Sequence, residues 1–235
     1  MQIHKKQCFL IVMLFSVTAA SAQIVNMPSN DGTPLRVGRH DDIGGSPYYF
    51  GEHNWVDGTL YMADGRVYEK MKIRYNGFDD EIEYLKDGVA MVVDNYDLKG
   101  FDLVFNKTDI TEKTRAYEFK NGFFIEGKIM KTEFFSVIYQ GDAIALVEKF
   151  EVYKNELTPD TYGGKGIEEF ENRKRAYLIY GEEVHGFKYK KRDFYKIFSD
   201  KAEEIKKFIK INDLDMDNRN HLVTLLEYVE TDLID

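Results

Sequence analysis

Val67-Tyr68-Glu69-Lys70-Met71-Lys72-Ile73-Arg74-Tyr75-Asn76-Gly77 is the stretch that decides the fold class. Val67, Met71, Ile73 and Tyr75 read as one face and Lys70, Lys72 and Arg74 as the other, the period of a half-buried strand. The run stops at Asn-Gly, a pair suited to the tight turn of a hairpin. The same grammar recurs on both sides. Asp57-Gly58, Asp64-Gly65, Asp87-Gly88, Lys99-Gly100, Asn121-Gly122, Glu126-Gly127 and Gly141-Asp142 come at close to hairpin spacing, so the chain is expected to run as consecutive antiparallel strands. Phe101, Leu103 and Phe105 alternate with Asp102 and Val104, and Ile144, Leu146, Phe150 and Val152 share one side of residues 144–153. Val89-Ala90-Met91-Val92-Val93 is apolar throughout, the pattern of a central strand covered on both faces.

Past the last hairpin, expected from Ala176–Tyr180 and Val184–Tyr189 around Gly181, the period changes. Phe194, Ile197 and Phe198 have helical spacing. Asp200 is placed to cap a helix with Glu203 three residues on, whose apolar stripe is Ala202, Ile205, Phe208 and Ile209; Glu203 and Lys207 suit an i,i+4 pair. A final helix is expected from about Asp217 to Val229, with Leu222, Leu225, Leu226 and Val229 on one side. The predicted class is mainly β (α+β): an antiparallel β-meander, sandwich or incomplete barrel with a C-terminal helical hairpin. Its predicted parts are a β domain over 55–189 and a helical tail over 190–235 packed on it. Residues 23–54, with Pro28, Pro34, Pro47 and Gly44-Gly45, read as an extended leading segment.

The first 22 residues read as an export signal: His4, Lys5 and Lys6, an apolar run from Cys8 to Val17, and the small residues Ala20-Ser21-Ala22, with cleavage expected before Gln23. The run is shorter than the roughly 20 residues of a bilayer span. The protein is therefore expected to be exported, periplasmic or extracellular, with no transmembrane anchor. Net charge is -9, and Lys5 and Lys6 leave with the signal unaccompanied by any acid, so the remainder stands at -11. Such a surface repels phosphates, and no nucleic-acid partner is expected. Cys8, the single cysteine, lies away from the cleavage point. No lipid anchor, disulfide or thiolate site is expected.

Gly45-Ser46-Pro47-Tyr48, Asp57-Gly58-Thr59, Asp64-Gly65 with Tyr68, Arg74-Tyr75-Asn76 and Asp80-Glu81-Ile82-Glu83 resemble an uncharacterised family of exported β-rich proteins of Gram-negative bacteria. Lys191-Arg192-Asp193-Phe194 through Glu204-Ile205-Lys206, then Leu222 to Tyr228, are similar to that family's helical tail. The resemblance covers most of the chain. It implies compartment and architecture and no activity.

Chemistry-bearing motifs are few. Asp213-Leu214-Asp215-Met216-Asp217 has the spacing of a calcium loop, but Asn218 stands where glycine is needed and Thr224 where a bidentate Glu belongs; a connector with Asp215 or Asp217 capping the last helix is expected. His40, His53, His185 and His221 form no ligand pair on one element. Ser46, Ser136 and Ser199 lack a nucleophile-elbow turn. Asp79, Asp80, Glu81 and Glu83 offer carboxylates, although Glu81 and Glu83 alternate with Ile82 and Tyr84 as a solvated strand face does. Gly163-Gly164-Lys165-Gly166 reads as a flexible loop. Arg173-Lys174-Arg175 and Lys188-Tyr189-Lys190-Lys191-Arg192 form the basic region, a solvated face or a surface for anionic headgroups or an acidic partner. No catalytic, cofactor-binding or metal residue is assigned and no cofactor is expected. The expected function is a non-enzymatic envelope or periplasmic binding protein for an unknown macromolecule or apolar ligand. The alternative is a hydrolase acting on polysaccharide or another extracellular polymer, through carboxylates of 79–83 and a histidine of 40–53.

Overall fold

The computed structural model describes residues 32–34, 40, 42–51, 55–105, 115–157 and 167–234. The expected signal, His53 and Gly163–Gly166 lie outside them. The strands are β1 (Gly32–Pro34), β2 (Val56–Met62), β3 (Val67–Asn76), β4 (Glu81–Lys86), β5 (Val89–Val93), β6 (Leu98–Phe105), β7 (Arg115–Lys120), β8 (Phe124–Ile125), β9 (Lys128–Ile129), β10 (Phe135–Gln140), β11 (Ile144–Leu157), β12 (Ile167–Tyr180) and β13 (Glu183–Phe187). Helices α1 (Lys191–Ile197), α2 (Ala202–Ile211) and α3 (Arg219–Tyr228) follow. Apart from the small β8–β9 ribbon, the strands form one antiparallel sheet in the order β1-β5-β4-β3-β2-β6-β7-β10-β11-β12-β13. It is an open sheet and closes no barrel. No helix among the described residues is long and apolar enough to cross a membrane.

Strand order forces the sheet to curl. Only Asp94 to Asp97 connect β5 to β6, yet β4, β3 and β2 lie between those two strands. Laid flat, four strand spacings would separate them by about 19 Å, and five residue steps reach no more than roughly 18 Å. Val93 and Leu98 therefore meet in one core, with Tyr75, Tyr84, Phe101, Phe119 and Phe150. The leading segment draws the curl together: Gly44 bridges to Glu169 on β12 and Tyr48 to Asn76 at the end of β3. Val152 N–H also donates to Gly77 O at 2.9 Å. This segment is more than a leader, because β1 pairs with β5 along the sheet edge.

Pairing of β3 with β2 slips by one residue between Gly58 and Leu60, and Lys70 in β3 sits at φ 55°. This bulge reverses the alternation of side chains: Tyr68 faces the core and Val67 is 41% exposed, while Ile73 and Tyr75 point inward as expected. Gly58 and Gly100 lie inside β2 and β6, not in turns. A Cβ on Gly58 would run into Asp102 O and the Ile73 side chain, and one on Gly100 into Phe119 O. Glycine serves close approach there. β5 is next to the sheet edge, not central; Met91 and Val93 are buried by the curl, and Val89 is exposed.

The far half of the sheet is covered on both faces. β8–β9 lies over Phe135, Val137 and Val147. On the other face, Ile144, Leu146 and Leu178 pack with Phe194, Phe198, Ile205, Ile209, Leu222, Leu225, Leu226 and Val229, the stripe residues of the expected helices. Helix ends differ from expectation. Residues 199–201 form a 3-10 turn before α2, Asp200 does not cap it, and Glu203 pairs with Lys206 at 2.5 Å. Asn218, not Asp215 or Asp217, caps α3 by accepting from Asn220 N–H.

A carboxylate fastens the chain's last turn to the sheet. Glu230 is buried; it accepts from the Tyr139 hydroxyl and from the N–H groups of Ala143 (2.6 Å) and Ile144 (3.1 Å) in the β10–β11 turn. Burial pushes its pKa up, but these hydrogen bonds more than reverse that and leave it lowered. A carboxyl lowered in the folded state stabilises above its unfolded pKa of about 4.3, and the gain is lost as pH falls through the folded value. Glu230→Gln is expected to cost about 1.5–3 kcal/mol at pH 7, with the deficit shrinking below about pH 4 as the wild-type carboxyl protonates. Urea melts at pH 7 and pH 3 check this; an equal deficit at both would sink the assignment.

Candidate functional site

One face of β11 carries Ile144, Leu146, Glu148, Phe150 and Val152 in alternation. Leu146 belongs to the helix-covered core and Phe150 to the core of the curled half. Glu148, midway between them, is only 5% exposed. A charge removed from water in this way needs partners, and three elements supply them. Lys174 on β12 places Nζ 2.8 Å from Oε1. It stands diagonally across the ladder in which Glu148 faces Ala176. Tyr189, past the end of β13, donates its hydroxyl to Oε1. Its φ of 58° turns the chain there, bringing the ring against Phe187 and beneath Lys174 Nζ at 5.0 Å. Arg219 opens α3, with Nη1 3.9 Å from Glu148 Oε2 and Nη2 donating to Val137 O.

The polar cluster floors a cleft of about 520 Å³ that runs across β7, β10, β11 and β12. Its volume falls within the range of small-molecule sites, roughly 300–1,000 Å³. One wall is aromatic. Tyr49 and Phe50, from the leading segment, stand with centroids 4.7 and 5.4 Å from Phe150, and Phe50 lies 5.2 Å from Tyr117. The other wall is Asp217, Arg219 and Leu222 at the start of α3. Pairing of β7 with β10 covers Phe119–Ser136 and Lys120–Phe135. Beyond these pairs Tyr117 and Ile138 line the cleft. Burial raises the Tyr189 and Tyr49 phenols above their ordinary range, and the charge of Glu148 adds to the rise in both. The cleft therefore sets fixed aromatic faces opposite two cations and two carboxylates.

Sequence candidates reach this site in part. Of the basic run, Lys174 enters it, whereas Arg173 and Arg175 point the other way and pair with Glu151 at 3.1 and 2.6 Å. Asp217 of the calcium-like string lines the cleft; Leu214 and Met216 of that string are buried as core. Among the described residues no three His, Asp or Glu side chains gather as a metal ion would require. The carboxylates near residue 80 disperse. His40 Nε2 does meet Asp79 Oδ2 at 3.0 Å, between the ring edges of Phe78 and Phe170. Asp80 instead takes Lys149 at 2.6 Å and the Tyr75 hydroxyl. Glu83 is not on a solvated face: it is 0% exposed, bound by Arg74 at 2.7 Å and by Tyr48. Arg74, also read as solvated, is clamped between the rings of Tyr48 and Trp55, at 3.9 and 4.3 Å.

His185 pairs with Glu183 at 3.3 Å, and His221 Nδ1 accepts from Asp215 N–H. Ser46 accepts from Tyr48 N–H, and Ser199 lies in the 3-10 turn. Ser136 is fully buried opposite Glu148, its hydroxyl without a hydrogen-bond partner among the described residues. Glu148, Tyr49 and Phe50 escape sequence reading. The signal for Glu148 is the gap at 148 in an otherwise apolar face. Tyr49 and Phe50 carry none, because a loop fixes their positions. No family model matches this chain, nor does any curated protein or solved structure.

Proposed function

We propose that this chain is an exported binding protein of the bacterial envelope or periplasm, and that the cleft at the seam of sheet and helices is its binding site. The observation that carries the reading is the cleft itself, aromatic on one wall and charged on the other. Such a surface fits a small ligand with an apolar face and a polar edge, a narrower description than an apolar ligand. Every charged group in it already has a partner or faces solvent, so it offers recognition rather than an activated nucleophile. The reading of residues 1–22 as an export signal is what points to the compartment. The hydrolase alternative has less support: His40 does meet Asp79, but Asp80 and Glu83 are taken by Lys149 and Arg74 in separate contacts and bring no second carboxylate to that pair.

Thermal melts against small aromatic and polyhydroxylated compounds of neutral, anionic and cationic charge test this. A ligand at 100 times its dissociation constant stabilises by about 2.7 kcal/mol, a rise of roughly 5–10 °C for a chain of this size. Phe50→Ala, which removes the outer aromatic surface, is expected to weaken binding about tenfold, the loss of one ring stack plus its buried area. A panel in which nothing raises the wild-type melting temperature, or in which Phe50→Ala responds as the wild type does, would overturn the proposal.

A further inference from the structure

We infer that the cleft takes an uncharged saccharide, bound with a ring face on Tyr49 and Phe50 and its hydroxyls toward Glu148, Lys174, Asp217 and Arg219. The inference rests on the cleft being a binding site and names its ligand class. Charge balance is the first argument. Lys174 and Arg219 bring two positive charges, Glu148 and Asp217 two negative ones. A ligand with a single charged head gains from one pair and is repelled by the other. A hydroxyl is both donor and acceptor. Neighbouring hydroxyls on a sugar ring can therefore give to the carboxylates and accept from the guanidinium and ammonium, with charge assistance in each bond.

Preorganisation is the second argument. Lys174 is held by Glu148 at 2.8 Å and over the Tyr189 ring, and Arg219 by Val137 O. The polar edge is thus fixed before a ligand arrives, which spares ordering entropy. The third is the aromatic wall. Phe50 is buttressed by Tyr49, Phe105, Tyr117 and Phe150 with centroids 4.9 to 5.4 Å away, so its ring is a rigid platform for the apolar C–H face of a sugar. A lipid chain would need an apolar lining on every side, and here Asp217 and Arg219 in one wall and Glu148 and Lys174 in the floor are charged. Binding makes and breaks no covalent bond.

Titrating isotope-labelled full-length protein with cellotriose, maltotriose and triacetylchitotriose, followed by backbone amide shifts, tests the assignment. At least one of these is expected to move Tyr117, Glu148 and Arg219 saturably. Phe50→Ala should weaken that binding at least tenfold and Asp217→Asn several-fold, both with unchanged chemical-shift dispersion away from the cleft. If the trisaccharides leave the cleft amides still while the anionic amphiphile anilinonaphthalene sulfonate or a neutral tripeptide moves them, the cleft binds but the saccharide assignment is wrong. If none of these probes moves them, the binding-site reading fails as well.

Discussion

A chain ending at Phe198 is expected to lose its native fold and come out of solution. The missing residues bury Ile205, Ile209, Leu214, Met216, Leu222, Leu225, Leu226 and Val229 against the sheet. Each such side chain contributes roughly 1.5–3 kcal/mol, so the eight together contribute about 12–24 kcal/mol, as much as or more than the 5–15 kcal/mol that holds an ordinary domain. Truncation also removes the Glu230 bonds to the β10–β11 turn and the Arg219 bond to Val137 O. It would leave Ile138, Ile144, Leu146 and Leu178 bare on one side of the sheet. Soluble yield and near-ultraviolet circular dichroism check this. A truncated protein with wild-type yield and melting point would mean that the helices are a separate module and not half of a core.

Arg74→Met is expected to cost about 3–5 kcal/mol, because it strands a buried carboxylate. Glu83 has no exposed surface, and Arg74 Nε at 2.7 Å is the cation beside it. The guanidinium also donates to the Tyr48 hydroxyl at 2.6 Å, which donates in turn to both Glu83 oxygens at 3.0 and 3.1 Å. Replacing both charged partners, Arg74→Met with Glu83→Leu, should recover most of the loss, since an apolar pair of similar volume removes the desolvation cost on both sides. Urea midpoints of the two single variants and the double complete the cycle. An Arg74→Met variant within 1 kcal/mol of wild type would show that Glu83 is satisfied by Tyr48 alone.

Both predictions turn on side chains whose roles were unequally legible in the sequence. The stripe Ile205, Ile209, Leu222, Leu225, Leu226 and Val229 could be read directly, because helical period reports burial without knowledge of what lies opposite. Arg74 and Glu83 fall on the polar side of their strands, and alternation identifies two faces without saying whether the second is covered. That cover is Tyr48 and Trp55, which no local pattern announces. Lys70 defeats the period in another way: one bulged residue inverts every assignment on its N-terminal side, so Val67 and Tyr68 exchange places. Turn glycines at 65, 88, 122, 127 and 181 have positive φ and were legible as punctuation. Gly58 and Gly100 carried the same signal for a different reason, the nearness of a neighbouring strand. The candidate site was least legible, since its walls come from a loop near residue 50 and a helix start near residue 219, brought together by tertiary packing alone.

The position of β2 between β3 and β6 decides how the chain must assemble. β3, β4 and β5 follow one another as hairpins, and so do β10 to β13; these ladders close short loops and can form soon after collapse. The β2–β6 ladder is different, joining Asp57 to Val104 and Thr59 to Asp102 across more than forty intervening positions. Until it forms, the two runs of hairpins are separate pieces with open edges. Its formation carries a long-range entropic cost and joins the two runs of hairpins, so refolding should slow when β2 or β6 is weakened, whereas damage to the β11–β12 hairpin should chiefly hasten unfolding. A ribosome-bound chain lacking β6 would hold β2 with one edge unpaired, which is the interval in which this protein is most exposed to misassembly.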